Sequence, residues 1–405
     1  MQVRSPIKRT AEDLVISLQS RYPVVTLTGP RQSGKTTLCR MAFGSLPYAN
    51  LEAPDVRMRA QTDPRGFLAD FSSGGVIDEF QRAPELASYI QTMVDDPAFS
   101  GTFVLTGSQN LAVRTSVSQS LAGRTALVSL LPFSLTEVSR AWPDLGTDEL
   151  LFRGFYPRIY DRNLNPAQAI SDYVGTYVER DLRQLSAVHD LSLFQKFMGL
   201  CAGRIGQLLN LESLGNDTGV SQSTAREWIS LLEASYIAFR LPPFHANIGK
   251  RLVKTPKLYF YDVGLAAHLL GITDVSQIPR HPLRGALFEN MVIVEVMKYF
   301  LNRGPRRDLF FYRDSNGNEV DLLLPSGNVI VPVEIKAAET IAKDFFEGLR
   351  RVSNALPAAR HPILVYGGDE SYTHLGTHVT SLAGLTAHLQ SRVRVDGNHR
   401  RPPSR

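Results

Sequence analysis

Cysteine is scarce in this 405-residue chain, with only Cys39 and Cys201. The two lie far apart in sequence and neither belongs to a metal-ligand spacing. That excludes a disulfide framework and a cysteine-based metal centre, and leaves two reduced core thiols of a cytoplasmic protein as the expectation. No apolar run approaches the ~18 residues that a membrane span needs, so no membrane partner is expected. The opening residues, Met1-Gln2-Val3-Arg4-Ser5-Pro6-Ile7-Lys8-Arg9, lack the apolar core of a secretion signal, which again points to the cytoplasm. Internal repeats are absent as well.

Lysine is sparse too: nine of the 44 basic residues, the remainder being arginine. Such a bias can follow genome composition, so a net charge of +5 and a pI near 9.1 point only weakly to nucleic acid. The distribution says more. No acidic residue falls between Glu233 and Asp262, whereas Arg240, Lys250, Arg251, Lys254 and Lys257 do. A second basic cluster, Arg392, Arg394, Arg400, Arg401 and Arg405, reads as a flexible tail over 391–405.

What the chain does have is the content of a folded protein, 43% hydrophobic and 20% charged, at a length that predicts two or three domains. Its strongest feature is Gly29-Pro30-Arg31-Gln32-Ser33-Gly34-Lys35-Thr36, which spells G-x-x-x-x-G-K-T directly after the apolar run Val24-Val25-Thr26-Leu27. Strand, glycine loop and helix, in that order, are what a triphosphate-binding loop requires. Gly29 and Gly34 let the backbone turn so that successive N–H groups, those of Pro30's neighbours Arg31, Gln32 and Ser33 included, face phosphate oxygens. Lys35 would reach the β- and γ-phosphates, the Thr36 hydroxyl would ligate Mg²⁺, and Thr37 continues the helix whose positive end lies under the anion.

From residue 20 to about 140, short apolar strands (Val24–Leu27, Val76–Ile77, Phe103–Thr106, Ala126–Leu130) alternate with helical patterns such as Leu86–Val94. This predicts a three-layer α/β domain with a parallel sheet over 1–160. Residues 161–275 read as helical: a long charged helix over Ala167–Leu185, another over Leu193–Ala202, and a third capped by Ser221. In the third, Ala225, Trp228, Ile229 and Leu232 form one apolar stripe. With Leu211–Leu214 and a Gly/Asn/Asp turn before it and the strand-like Tyr236–Arg240 after it, the order is that of a winged helix-turn-helix. Residues 276–390 predict a small α/β domain with a helix over Leu287–Phe300 and strands over Leu309–Tyr312, Glu319–Leu324, Val329–Ile335 and Pro362–Tyr366.

Hydrolysis needs carboxylates beside the phosphate loop, and Val76-Ile77-Asp78-Glu79 supplies them at a strand end. Asp78 would hold Mg²⁺ and Glu79 would polarise the attacking water. Gly74 and Gly75 shorten this strand's apolar run. The spacing fits a sheet in which another strand intervenes. Ser108, at the end of Phe103–Gly107, is either a γ-phosphate sensor or a helix N-cap. Arg124 is either an arginine finger acting across a homo-oligomer boundary or a surface ion pair.

Together these phrases resemble a family of prokaryotic AAA-type ATPases whose C-terminal half is a domain of unknown function. Further residues that carry the resemblance are Phe80-Gln81 with Pro84-Glu85-Leu86, Leu121-Ala122-Gly123-Arg124, Tyr177-Val178-Glu179-Arg180-Asp181-Leu182, Ala202-Gly203-Arg204, Lys254–Asp262 and Leu287-Phe288-Glu289-Asn290. The resemblance spans nearly the whole chain and implies Mg²⁺-dependent binding and hydrolysis of ATP. It implies no particular target.

In the last region Asp321 is followed thirteen residues on by Glu334-Ile335-Lys336, similar to the D…(D/E)-x-K pattern of restriction-type nucleases, so a restriction-endonuclease-like fold is expected there. Such chemistry would have Asp321 and Glu334, with Glu289 as a further acidic ligand, hold a metal while Lys336 positions water. The alternative is a hairpin with one charged face. The basic stretch, followed by Tyr259-Phe260-Tyr261, can track a phosphate backbone beside stacking aromatics, with Gln222, Ser223, Thr224 and Arg226 reaching bases; winged helices also bind proteins. The leading expectation is a Mg²⁺-dependent ATPase that couples turnover to binding or remodelling DNA. The alternatives are an ATP-gated nuclease and a nucleotide-switched scaffold that never touches DNA.

Overall fold

The computed structural model describes residues 6–108, 120–178, 188, 190–244, 254–304 and 307–392. Five strands, β1 (Val24–Thr28), β2 (Tyr48–Asn50), β3 (Gly74–Asp78), β4 (Thr102–Gly107) and β5 (Thr125–Ser129), form an all-parallel sheet in the order β2-β3-β4-β1-β5. The four expected strands are present, and β4 is the strand that separates β1 from β3. Only β2 lay beyond sequence reading, because three half-buried residues carry no periodic signal. Gly74 and Gly75 belong to β3 rather than shortening it. A Cβ on the first would lie 2.3 Å from the Thr102 carbonyl oxygen, and one on the second 2.4 Å from the Phe71 ring. Glycine is what lets the neighbouring chain come so close.

Each face of this sheet is covered. Val25, Leu27, Val76 and Val104 pack with Leu38 and Cys39 of the helix Lys35–Ala42 on one side. Ile77, Phe103 and Leu105 pack with Leu86 and Ile90 of the helix Leu86–Val94 on the other. Cys39 and Cys201 are both buried free thiols, and burial pushes Cys39 up to about 12.

The middle region holds the helices Leu191–Ala202, Leu211–Thr218 and Gln222–Ala234, followed by an antiparallel pair, β6 (Ala238–Leu241) and β7 (Lys257–Phe260). Ser221 caps the third helix by accepting from the Thr224 N–H at 3.1 Å, and the stripe Ala225, Trp228, Ile229 and Leu232 is buried. The Gly215-Asn216-Asp217 triplet, expected as a turn, is helical. Asn210 caps that helix, and the chain reverses at Gly219 (φ +95°) instead. The long helix expected over 167–185 runs as Pro166–Tyr173 and passes into a π-helical turn, Val174–Val178; its remainder, with Glu179–Leu182, lies outside the described residues.

The last region carries a six-stranded mixed sheet in the order β12-β13-β11-β10-β9-β8, formed by β8 (Phe310–Arg313), β9 (Glu319–Ser326), β10 (Val329–Lys336), β11 (Ile363–Tyr366), β12 (Tyr372–His374) and β13 (Thr377–Ser381). The helices Arg284–Leu301 and Leu382–Arg392 contribute to one core against it, and Glu347–Ala355 to another. The first of these cores is continuous from Leu131 through Trp228 and Phe288 to Leu389. Trp228 stands edge-on to Phe194 and Phe197, with centroids 5.0 and 5.2 Å away. Trp228→Ala is expected to lower stability by about 3–5 kcal/mol, read by chemical denaturation. A loss below about 1 kcal/mol would mean that the helices pack without it.

Candidate nucleotide site and a buried charge cluster

The loop after β1 bends through residues with positive φ: Gly29 at +150°, Gln32 at +60° and Gly34 at +89°. A Cβ on Gly29 would lie 2.1 Å from the Leu130 carbonyl oxygen, so the loop's first residue has room for nothing larger. Arg31, Gln32, Ser33 and Gly34 lead into the helix at Lys35, with Thr36 and Thr37 in its first turn. The Lys35 ammonium donates to the carbonyls of Gly29 (3.0 Å) and Pro30 (2.7 Å). Burial lowers its pKa to about 8 against the opposing pull of Glu79 and Asp78. Ser33 Oγ is buried without a hydrogen-bond partner, an acceptor and donor held ready inside the loop.

Asp78, 1% exposed at the end of β3, gathers donors from three other elements. Its Oδ2 accepts from Thr36 Oγ1 and from the Tyr48 hydroxyl of β2, each at 2.7 Å. Its Oδ1 accepts from Thr106 of β4 and from the Glu79 N–H at 3.1 Å. Burial and the bond to Asp78 push Tyr48 up to about 12, so it stays a donor. Thr36 and Asp78 are thus side by side, the two residues that would hold a Mg²⁺ ion. Together with the loop and Lys35 they fit a magnesium nucleotide. Tyr48 and Thr106 escaped sequence reading, because only the sheet order brings them to Asp78.

Glu79 follows in a left-handed conformation (φ +59°), which turns its side chain off the strand line. Its carboxylate accepts from Gln81 Nε2 at 2.5 Å and Ser108 Oγ at 3.5 Å, and Gln81 Nε2 also reaches Ser108 at 3.2 Å. Ser108 is therefore turned to the carboxylate, while the helix it was expected to cap falls outside the described residues. Arg124 stands apart. It makes a bidentate pair with Asp95 (2.5 and 2.8 Å), and its carbonyl accepts from Val24 at the start of β1, the end of that strand opposite the loop. The ion-pair reading is the one realised within the chain; a finger role would need a second subunit and release from Asp95.

Strands β9 and β10 and the helix Arg284–Leu301 bring Asp321, Glu334, Lys336 and Glu289 together, and β7 adds Lys257 and Tyr259. Lys336 pairs with Glu334 at 2.6 Å, and Asp321 Oδ2 accepts from the Ile335 N–H at 2.8 Å. Lys257, 3% exposed, pairs with Glu289 (3.2 Å) and Glu319 (2.5 Å), and the Tyr259 hydroxyl donates to Glu289. Burial first, then the charge of Asp321, raises Glu289 to about 7 and Glu334 to about 8. Burial works against the Lys257 charge, but Glu289, Asp321 and Glu319 outweigh it and hold the ammonium above its usual range. Among the described residues no three His, Cys, Asp or Glu side chains are grouped to hold a metal ion. The three carboxylates expected as metal ligands, Glu289, Asp321 and Glu334, nevertheless share one buried cluster. One oxygen of each is bound, by Lys257, the Ile335 N–H and Lys336 respectively, while Glu334 Oε2 is buried without a hydrogen-bond partner.

In the basic stretch, two of the five charges are already paired. Lys257 is spent on this cluster, and Arg240 pairs with Glu233 at 2.6 Å. Tyr259 and Phe260 are wholly buried and Tyr261 nearly so, which removes them as stacking surfaces. Lys254 is exposed, while Lys250, Arg251, Arg394, Arg400, Arg401 and Arg405 lie outside the described residues. Gln222, Ser223 and Arg226 are exposed at the start of the third helix, with Thr224 half-buried. No helix among the described residues is long and apolar enough to cross a membrane.

Comparison with known proteins agrees with the phosphate-loop geometry. The AAA domain family matches residues 21–139, a domain of unknown function (DUF8612) matches 146–276, and another (DUF4143) matches 284–385. Uncharacterized proteins of Mycobacterium tuberculosis and Mycobacterium bovis are each 33% identical over 355 residues, covering 87% of this chain and 78% of theirs. Among solved structures, a Walker-type ATPase of Pyrococcus abyssi is similar over 66% of this chain and 99% of its own, at 12% identity and a TM-score of 0.46. With its glycine loop, its sheet order and a third of the aligned residues shared across most of the mycobacterial chains, the protein belongs to the family of AAA-type P-loop ATPases that carry additional C-terminal domains of unknown function, and it binds and hydrolyses ATP.

Proposed function

We propose that turnover of ATP in this chain is coupled to the placement of its helix-turn-helix region on DNA. In the nucleotide site, loop N–H groups and Lys35 bind the phosphates, and Thr36 with Asp78 would hold Mg²⁺, which supplies charge neutralisation across the β- and γ-phosphate oxygens. Tyr48 and Thr106 keep the Asp78 carboxylate oriented. Glu79 takes the proton of the attacking water, and Gln81 and Ser108 hold Glu79 in position for it.

The observation that carries the coupling is a buried hydrogen bond, 2.9 Å long, between Thr28 Oγ1 and the Tyr236 hydroxyl. Thr28 is the residue before the phosphate loop. Tyr236 lies in the turn between the helix Gln222–Ala234 and β6, in a left-handed conformation (φ +56°) that a bulky side chain adopts only under constraint. A shift of the loop on nucleotide exchange therefore bears directly on the helix-turn-helix, whose Gln222, Ser223 and Arg226 face solvent.

A second reading, an ATP-gated DNA nuclease, is supported by the convergence of Asp321, Glu334, Lys336 and Glu289. Lys257 competes there for Glu289, with which it is paired, whereas Glu334 Oε2 is buried without a partner.

For hydrolysis, Lys35→Ala is expected to weaken nucleotide binding roughly 10- to 100-fold. Glu79→Gln should bind ATP normally and turn it over on the order of 100-fold more slowly; unchanged turnover would remove Glu79 from its role. Because phosphate pairs with the ammonium form of Lys35, binding takes up a proton above about pH 8. ATP affinity should then fall as pH rises, by up to about tenfold per unit, and Lys35→Arg should flatten that slope. For DNA, duplex binding measured against salt should weaken steeply with ionic strength, and Arg226→Ala should reduce the slope by about one. Tyr236→Phe should leave both ligands bound but abolish the effect of ATP on DNA affinity. Absence of duplex binding even at low salt would sink the DNA reading. Wild-type protein that fails to nick DNA with Mg²⁺ or Mn²⁺ sinks the nuclease reading, and nicking lost in Asp321→Ala with ATPase intact supports it.

A further inference from the structure

Arg9 lies 24 residues before Ser33 in sequence, is 4% exposed, and has no place among the motif residues. Its guanidinium donates to the Ser33 carbonyl inside the phosphate loop at 2.6 Å and to the Leu131 carbonyl at 2.7 Å. Its Nε lies 3.2 Å from Glu137, a charge contact without hydrogen-bond alignment, and its plane sits 5.1 Å from the Phe133 ring centroid. Glu137 is fully buried and accepts from the N–H groups of Thr10 (2.5 Å) and Ser134 (2.8 Å).

The peptide between Ser33 and Gly34 is planar and trans, so its C=O and N–H point in opposite directions. A side chain that fixes the Ser33 carbonyl on its own side of the loop therefore also fixes the Gly34 N–H toward the other. The Leu131–Leu135 segment that anchors Arg9 is held in turn from the C-terminal region. The Leu135 N–H donates to Glu295 at 2.7 Å, and Lys298 donates to the Phe133 carbonyl at 2.7 Å and pairs with Glu295 at 2.8 Å. Both belong to the long helix Arg284–Leu301.

We propose that Arg9 is a positioning residue of the nucleotide site. It pre-orients the Gly34 N–H for phosphate and makes that orientation answer to the long C-terminal helix through Glu137, Leu131–Leu135 and the Glu295–Lys298 pair. The inference rests on the loop being the phosphate site. Its signature is a loss of ground-state nucleotide binding rather than of the chemical step.

The test measures ATP affinity by equilibrium binding, and KM and kcat by steady-state turnover, in the full chain. Arg9→Gln is expected to raise Kd and KM tenfold or more while kcat stays within about threefold, and Arg9→Lys to recover part of the affinity. Glu295→Gln, remote from the loop, should raise Kd two- to fivefold without touching kcat. A folded Arg9→Gln with wild-type Kd and KM, or a kcat that falls in step with the folded fraction, overturns the proposal. Should Arg9→Gln fail to fold, Glu137→Gln replaces it, and wild-type affinity there overturns the proposal equally. Wild-type protein that binds no ATP would instead bring down the phosphate-site reading itself, an outcome distinct from those.

Discussion

A carboxylate taken out of water must be met by donors, and the nucleotide half of this molecule is arranged around meeting one. Asp78 is buried at the end of β3, and its oxygens are supplied by the helix after the phosphate loop, by β2, by β4 and by the next peptide N–H. Each donor needs its own element in register, so the sheet order and the local chemistry specify one another. Removing one donor would leave the charge short of partners in a low-dielectric setting, where such a deficit costs far more than a surface bond returns. The same carboxylate keeps Thr36 poised where a cation shared with substrate would sit.

Charged side chains do comparable service for backbone in the stretch that leaves β5. Leu131 and Phe133 have their carbonyls bound by Arg9 and Lys298, and Ser134 and Leu135 have their N–H groups bound by Glu137 and Glu295. An irregular segment can be buried only if its polar groups are satisfied, and here two ion pairs achieve it. The cluster around Lys257 shows the opposite use of buried charge. There burial first, and then the charge of Asp321, outweighs what the lysines offset, and Glu289 and Glu334 are raised toward neutral pH.

Much of this was legible in the chain itself. The glycine loop, the Asp78-Glu79 pair, the Ser221 cap and the Trp228 stripe are written in local spacing, and the separation of β1 from β3 follows from their distance in sequence. What stayed hidden depends on partners remote in sequence. Arg9 meets Leu131 across 122 residues, and Tyr236 meets Thr28 across 208. The basic stretch illustrates the same dependence. Counting charges along the chain cannot show that Lys257 and Arg240 are already matched by Glu289, Glu319 and Glu233. Asp321, Glu334 and Lys336 were rightly grouped, yet Lys257, approaching from β7, alters what the group can hold.

The uninterrupted apolar interior from Leu131 to Leu389 has a consequence for how such a molecule can change over generations. Neither the helical region nor the C-terminal sheet owns a complete hydrophobic filling, so neither can be excised, exchanged or duplicated without baring greasy surface. The two must be inherited as one block, and new specificities can arise only on its rims, in exposed loops and helix ends.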